Sequence, residues 1–302
     1  MNKVAILLSA YNGDEYIEEQ IRSIYNQTYK DFRLYVRDDG SAIAFQNQLK
    51  TLQKQYGFEL ILGENIGFVK SFMELLSKIE GAELYAFSDQ DDIWLEDKLQ
   101  AAVEWFEQEN RERENKEPIP MLYHNAYNVV QSDKKVIDKF YFPDEGYDFR
   151  RSITENHYSG FSMVINRTLR EYMLCGDSDK IGYHDWWAAM IVQAFGVAHS
   201  DDKVLALHRA HGENVTTFNW KTRVGWLKKT LTEESDIRIR CKEFKRCFYS
   251  QLIVQYEKVL DLFTEERYNP FYALRKSFFY KRWRPILSSE LIVRCLMLIG
   301  KI

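Results

Sequence analysis

Three carboxylates stand within four residues at Asp89-Gln90-Asp91-Asp92, directly after an apolar run from Leu84 to Phe87. The apolar run predicts a buried strand, so the acids fall at its carboxyl end. Like charges this close destabilise one another. A hard cation such as Mg²⁺ or Mn²⁺ removes that cost, because it takes oxygen ligands and bridges to phosphates. The run therefore predicts a metal–diphosphate site, with a solvated loop that caps the next helix as the alternative.

The elements that would position these acids alternate in type along the chain. Amphipathic helices separate four predicted strands, at Val4–Leu8, Phe32–Val36, Phe58–Leu62 and Leu84–Phe87. This alternation predicts an α/β fold with a doubly wound, mostly parallel sheet, whose ligand crevice lies beyond the carboxyl ends of the strands. Asp38 and Asp39 follow the second strand, and we expect them in the same crevice as Asp89, Asp91 and Asp92. A common Asp-Gly turn is the alternative for this pair.

Later segments add candidate residues. A hairpin is predicted near Ser132-Asp133, and a strand at Val204–Leu207 leads into His208 and Arg209. His184-Asp185 opens a segment that is apolar on nearly all sides, which predicts a buried helix. A carboxylate at such a position can serve as a general base or simply cap the helix.

Composition narrows the class of protein. The 302 residues allow one large domain or two smaller ones, and 45% hydrophobic content predicts a substantial core. The four cysteines show no metal or CxxC spacing and no apolar leader opens the chain, which predicts a cytosolic protein with reduced thiols. Residues 1–220 carry 23 basic and 36 acidic side chains, a net charge of −13. This balance argues against a nucleic-acid surface.

Taken in order, these motifs resemble those of inverting family 2 glycosyltransferases with the GT-A fold. The matching segments are Leu8–Asn12, Arg37–Ser41, Asn65–Gly67, Asp89–Asp92 and His184-Asp185. The form Ser88-Asp89-Gln90-Asp91-Asp92-Ile93-Trp94, with the later Arg209-Ala210-His211-Gly212-Glu213-Asn214-Val215, is similar to the bacterial rhamnosyltransferase branch. The enzymes of that branch build cell-surface polysaccharides. The resemblance covers roughly residues 1–215, and the chain departs from it at Asn125, where many relatives carry an acid.

The resemblance implies a donor side built for a nucleotide-sugar and Mg²⁺ or Mn²⁺. Asp91 would ligate the cation, with Asp89 on the cation or the ribose. Asp39, and beside it Asp38, would recognise the nucleobase and ribose. Further nucleotide-sugar contacts are expected from Ser9, Ala10, Tyr11, Asn65, Gln90 and Arg209.

Several of these residues have a second interpretation. Tyr11 would stack on the base or pack in the core. Asn65 is also expected to cap the helix that follows it. His211 would give a further metal or phosphate contact, although a lone histidine at a strand end is more often structural. Arg209 would neutralise the diphosphate as it leaves.

On the acceptor side the resemblance implies that Asp185 is the general base. It would take the proton from the acceptor hydroxyl as that oxygen attacks the anomeric carbon. A helix N-terminus stabilises a carboxylate and so weakens it as a base. His184, Trp186 and Trp187 are acceptor-side candidates, with core packing as the alternative for the two tryptophans.

The end of the chain has the opposite charge. Residues 221–302 carry 18 basic and 9 acidic side chains, a net charge of +9. Basic and aromatic residues interleave there, at Arg275, Lys276, Phe278, Phe279, Tyr280, Lys281, Arg282, Trp283 and Arg284. The segment 286–302 is too short and too charged to span a membrane. We therefore expect a transferase domain at 1–218 and a helical region at 219–302 that binds an anionic membrane or forms a homodimer.

The sequence therefore predicts a metal-dependent, inverting glycosyltransferase on the inner face of the cell membrane. The resemblance implies dTDP-β-L-rhamnose as the donor and a lipid-linked glycan as the acceptor. One alternative is the same fold with a UDP-hexose or UDP-galactofuranose donor. The other is a non-catalytic glycan- or lipid-binding protein on a degenerate transferase fold, against which the intact acids argue.

Overall fold

The computed structural model describes residues 3–13, 15–114, 116–210, 225, 232, 234–265 and 267–302. Nine strands are described in these ranges: β1 Val4–Ala10, β2 Phe32–Asp39, β3 Glu59–Gly63, β4 Leu84–Ser88, β5 Ile93–Trp94, β6 Met121–Val130, β7 Val136–Phe140, β8 Met163–Asn166 and β9 Val197–Arg209. The helices are α1 Ile17–Tyr25, α2 Ile43–Tyr56, α3 Phe68–Lys78, α4 Lys98–Glu112, α5 Phe149–Thr154, α6 Arg167–Met173, α7 His184–Phe195, α8 Asp236–Phe248, α9 Val254–Asp261, α10 Pro270–Ser277 and α11 Leu287–Leu298.

All nine strands form one sheet in the order β3-β2-β1-β4-β8-β6-β9-β5, with β7 paired to β6. Strands β1 to β4 are parallel. Strand β8 runs against both β4 and β6, so β6 and its parallel neighbour β9 point the same way as β1. The expected α/β fold with a mostly parallel sheet is confirmed.

Alternation along β1 explains why helices cover both faces of the sheet. Val4, Ile6 and Leu8 pack on α1, α2 and α4, whereas Ala5 and Leu7 pack on the opposite side. That opposite cluster also contains buried side chains of α3, α6, α7, α8 and α11. A strand buried on both faces reads as a continuous apolar run, which is why β1 was recognisable from its residues.

Three local expectations need correction, and one is confirmed. Asn65 does not cap α3, whose N-terminal cap is Gly67 with no side-chain hydrogen bond. Asp92 does not cap a helix, because the short strand β5 follows it and α4 begins only at Lys98. Strand β9 extends from Val197 to Arg209, well beyond the predicted Val204–Leu207. The hairpin near Ser132-Asp133 is confirmed as the β6–β7 pair.

The described part of the chain after residue 234 is helical, from α8 to α11. Its buried side chains, among them Phe244, Trp283 and Met297, share one hydrophobic cluster with α3 and α7. A domain boundary at residue 218 stays a prediction, since that position lies outside the described residues. None of the helices in the described ranges is long and apolar enough to cross a membrane.

Candidate active site

The acidic loop after β4 is joined to the end of β9 by a buried ion pair. His208 Nδ1 lies 2.8 Å from Asp92 Oδ1, and the Asp92 side chain is fully buried. The His208 ring also stacks on Phe161, with centroids 4.7 Å apart. Although burial opposes it, the charge of Asp92 raises the pKa of His208 to about 9. His208 is thus a cation at neutral pH, beside the clustered acids.

Asp89 lies at the electrostatic centre of the site. Desolvation, followed by the charges of Asp92 and Asp91, raises the pKa of Asp89 well above its usual value. The charge of Asp185 on α7 adds to this effect, so Asp185 lies within electrostatic range of Asp89. A hard divalent cation would relieve the repulsion that raises the pKa of Asp89. Within the described ranges, no group of three His, Cys, Asp or Glu side chains is placed to hold a metal ion.

Gln90, in the loop after β4, forms two hydrogen bonds with the loop after β1. Its side-chain oxygen accepts from Tyr11 N at 2.8 Å, and its nitrogen donates to Tyr11 O at 3.1 Å. The Tyr11 ring is 48% exposed, as a ring that stacks on a ligand requires and a core ring does not. Gln90 thus acts on the backbone of Tyr11 rather than pointing freely into the cleft. Ala10 is buried, and Ser9 Oγ shares a hydrogen bond with Ser71 Oγ at 2.6 Å.

Asp39 organises the loop between β3 and α3. Its two carboxylate oxygens accept from Ile66 N at 3.0 Å and Gly67 N at 2.9 Å. Arg37 Nη1 donates to the same carboxylate at 2.5 Å, and Asp39 is only 3% exposed. The expected role of Asp39 in holding the nucleotide stays a prediction, and its contacts in the structure are structural. Asn65, in the same loop, is exposed.

Asp38 is fully buried and holds the turn that follows β2. Its Oδ2 accepts from Ser41 N at 3.2 Å and Gln46 Nε2 at 3.0 Å. Gly40, within this turn, has a φ of +77°, and a Cβ there would lie 2.5 Å from Asn65 N. A glycine is therefore required at position 40, where a tight turn packs against the β3–α3 loop.

Asp185 stands in the first turn of α7 and has the properties of a base near neutral pH. Desolvation raises the pKa of Asp185 to about 6, although hydrogen bonds from the backbone of Trp186 and Gly160 lower it. The Trp186 N–H donates to Asp185 Oδ1 at 2.7 Å. The weakening expected from the helix N-terminus is thus outweighed by the loss of water around the carboxylate.

The three acceptor-side candidates are mostly turned into the protein. Trp187 is fully buried and donates from Nε1 to Met173 O at 3.1 Å. His184 is 5% exposed, packs between Phe72 and Phe87, and has no hydrogen-bond partner for either ring nitrogen in the described structure. Trp186 donates from Nε1 to Ser152 O at 2.6 Å. Packing therefore accounts for Trp187 and His184, and an acceptor role for them stays a prediction.

Arg209 is 3% exposed, forms an ion pair with Glu19, and covers the Tyr16 ring at 4.7 Å. Its side chain is thus held by α1 and the segment before it. His211, expected to contact the metal, lies outside the described residues.

Two features were missed by sequence reasoning. Arg240 of α8 is 1% exposed, and its guanidinium lies 3.7 Å from the Trp186 ring centroid. None of its nitrogens has a hydrogen-bond partner among the described residues, and its charge acts on Asp185. The second feature is a pair of exposed aromatic rings. The ring centroids of Phe68 and Tyr183 lie 5.9 Å apart, and Tyr183 comes two residues before Asp185 in the chain. Only the fold brings α8 and α3 to this place, and no sequence spacing indicates it.

The part of the chain that forms β1 to β4 and the acidic loop also resembles a known protein family. Residues 5–114 match the family model described as Glycosyl transferase family 2.

Similar proteins extend this likeness over most of the chain. TuaG of Bacillus subtilis (strain 168), named as a teichuronic acid biosynthesis glycosyltransferase, is 22% identical over 84% of this chain and 94% of its own. The Shigella flexneri protein RfbG, named as a dTDP-rhamnosyl transferase, is 24% identical over 75% of this chain and 82% of its own. Among solved structures, S. aureus TarS 1-349 in complex with UDP-GlcNAc matches 99% of this chain and 91% of its own, with a TM-score of 0.55 and 13% identity. The TarS likeness supports the fold alone.

Proposed function

We propose that this protein is an inverting glycosyltransferase for cell-surface polysaccharide, with L-rhamnose from dTDP-β-L-rhamnose as its donor. The observation that carries the proposal is that two unlike acidic groups lie within electrostatic range of each other. Asp89, Asp91 and Asp92 form a crowded acidic cluster, and Asp185 stands apart from them as a carboxylate with a pKa of about 6. The first suits a cation-bound diphosphate and the second suits proton transfer.

In this mechanism the acceptor hydroxyl attacks the anomeric carbon, and Asp185 takes its proton. The diphosphate leaves from the opposite face of the sugar, so the product has inverted configuration and no covalent enzyme intermediate forms. Asp89 and Asp91 would hold Mg²⁺ or Mn²⁺, which supplies Lewis-acid stabilisation of the leaving diphosphate. Gln90 fixes the backbone at Tyr11, whose exposed ring would stack on the base.

The names of two similar proteins support the proposed sugar and product. The name of RfbG supports dTDP-rhamnose as the donor, and the name of TuaG supports a cell-surface polysaccharide as the product. A lipid-linked glycan is the acceptor that we propose. A UDP-hexose is the second candidate donor.

A donor panel tests the proposal. The protein is incubated with dTDP-rhamnose, UDP-glucose, UDP-GlcNAc and UDP-galactofuranose, each with Mg²⁺ or Mn²⁺, and release of the nucleoside diphosphate is measured. We expect the fastest release from dTDP-rhamnose. Faster turnover of a UDP-sugar would favour the second donor. If the protein binds nucleotide but turns over none of the sugars, it is a non-catalytic protein.

Two variants separate binding from chemistry. Asp185→Asn is expected to keep donor affinity and lose transfer by about 10²- to 10⁴-fold, whereas Asp202→Asn, at an exposed acid, keeps both. Asp91→Ala is expected to lose the cation-dependent part of donor binding, measured by calorimetry with and without a chelator. If the unaltered protein binds the donor equally well with and without the chelator, the metal has no role in the mechanism.

A further inference from the structure

The last two helices form an antiparallel pair at the end of the chain, which we call the terminal hairpin (residues 267–302). Tyr268 Oη, just before α10, donates to Leu298 O at 3.0 Å at the end of α11. Ser277 Oγ, at the end of α10, donates to Arg294 O at 3.1 Å. The two helices therefore run side by side in opposite directions.

The inner face of the terminal hairpin is anchored to the rest of the protein. Trp283 is fully buried and donates from Nε1 to Lys276 O at 3.0 Å. Lys276 Nζ donates in turn to Ile302 O at 2.7 Å, and Arg284 Nη2 donates to Thr154 O at 2.7 Å. Lys276, Trp283 and Arg284, which the sequence grouped with the membrane anchors, are therefore engaged within the fold.

The outer face of the terminal hairpin is apolar and in contact with solvent. On α11 the residues Val293, Leu296 and Met297 are buried, whereas Leu291 and Ile292 are exposed. Phe278 is 73% exposed and Leu291 is 55% exposed. The large apolar side chains exposed on this hairpin are Tyr268, Phe271, Leu274, Phe278, Tyr280, Ile286, Leu287, Leu291, Ile292, Leu298 and Ile299. So many exposed apolar side chains on one short segment indicate an interaction surface.

The charged side chains of the terminal hairpin are nearly all basic. Residues 267–302 contain eight basic side chains and one acidic side chain, Glu290. Glu290 is 3% exposed and accepts from Trp283 N and Arg294 Nε on the inner side. Arg275, Lys281 and Arg282 are exposed. The hairpin therefore presents apolar and cationic groups to solvent and keeps its one carboxylate inside.

We propose that the outer face of the terminal hairpin binds the surface of an anionic lipid bilayer. The helices are eight and twelve residues long, and twelve residues rise only about 18 Å, so they lie along the surface rather than across it. Apolar side chains enter the boundary between headgroups and acyl chains, while Arg275, Lys281 and Arg282 contact lipid phosphates. A second copy of the chain fits less well, because a twofold contact would bring two faces of the same positive charge together.

This surface would hold the cleft near a lipid-linked acceptor, but its existence does not depend on the donor or on the chemistry at Asp185. Vesicle binding and sugar transfer can therefore fail independently.

Sedimentation with lipid vesicles tests the inference. The full chain is mixed with vesicles of phosphatidylcholine alone, or with about one third phosphatidylglycerol, and the bound fraction is measured as lipid is increased. We expect binding to the anionic vesicles that is at least about tenfold tighter than to the neutral ones and that weakens with salt. Equal binding to both vesicles, or to neither, would overturn the inference.

Two triple variants and a matched control locate the surface. Arg275→Gln with Lys281→Gln and Arg282→Gln is expected to weaken anionic binding about tenfold or more. Phe278→Ser with Leu291→Ser and Ile292→Ser is expected to weaken it similarly. Lys50→Gln with Lys54→Gln and Lys116→Gln removes three exposed charges elsewhere and should leave binding within about twofold. Unchanged vesicle binding in both hairpin variants would contradict a lipid partner. A dimer of the unaltered protein that dissociates in the serine variant, measured by light scattering, would contradict it as well.

Discussion

His208 Nδ1 lies 2.8 Å from Asp92 Oδ1, and this contact joins the end of β9 to the acidic loop after β4. Asp92 is fully buried, so the imidazolium is what makes a charged carboxylate tolerable at that depth. The pair also shows that Asp92 is engaged by the protein through His208.

Breaking this pair should destabilise the protein. His208→Phe keeps the stacking on Phe161 but leaves Asp92 buried without its cation, so we expect the free energy of unfolding to fall by about 3 kcal/mol in urea titrations. His199→Phe is the control, since His199 stacks on Trp105 and has no carboxylate partner in the described structure, and its loss should stay within about 0.5 kcal/mol. Adding Asp92→Asn to His208→Phe should restore part of the loss, and an additive result would show that the two residues are not coupled.

The rate of transfer should depend on pH through Asp185. Its pKa is raised to about 6, and only the deprotonated carboxylate can accept a proton from the acceptor. Turnover should therefore be constant above about pH 7 and fall about tenfold for each unit below pH 6. Initial rates from pH 5 to 8.5 at saturating donor measure this, and a flat profile would exclude Asp185 as the base.

Arg240 should tune that profile without stabilising the fold. Its buried guanidinium lowers the pKa of Asp185 by its positive charge, so Arg240→Met should move the acid limb of the pH profile to higher pH. We expect turnover to fall about 2- to 10-fold at pH 6.5 and to change little at pH 8.5.

The stability of Arg240→Met provides an independent readout. A buried charge without hydrogen bonds is costly, so an apolar side chain of similar length should leave the melting temperature equal or higher. Arg238→Met, on the same helix, serves as the control and should not shift the pH profile. An unfolded Arg240→Met variant would contradict this account.

Asp39 should prove necessary for the fold as well as for the site. Asp39→Asn weakens the acceptor for Ile66 N, Gly67 N and Arg37, and we expect a loss of about 2–4 kcal/mol in the free energy of unfolding. Asp31→Asn, at an exposed acid, should change it by less than about 0.5 kcal/mol. A stable Asp39→Asn variant that loses only nucleotide binding would instead favour the direct nucleotide role inferred from the sequence.

Much of the cleft was predictable because of where strands end. Apolar runs in a strand–helix alternation predict β1, β2 and β4, and the acids that follow Val36 and Phe87 must then meet at one edge of the sheet. The fold, the acidic loop and the position of Asp185 at the start of α7 were accessible in this way. The strand β5, which was not predicted, and the start of β9 depend on pairing between distant strands, which local patterns do not encode.

The sequence by itself determined the order of the elements and the identity of the acids, because periodicity and strand ends are local properties. Only the tertiary structure decided which side chains are buried or paired within the protein and which are exposed. It pairs Asp92 with His208, commits Asp39 to the β3–α3 loop, buries Trp187, and brings Arg240 to Asp185. It likewise turns Lys276 and Trp283 inward and leaves Phe278 and Leu291 outside. The physical reason is that burial and partner choice arise from contacts between segments far apart in the chain.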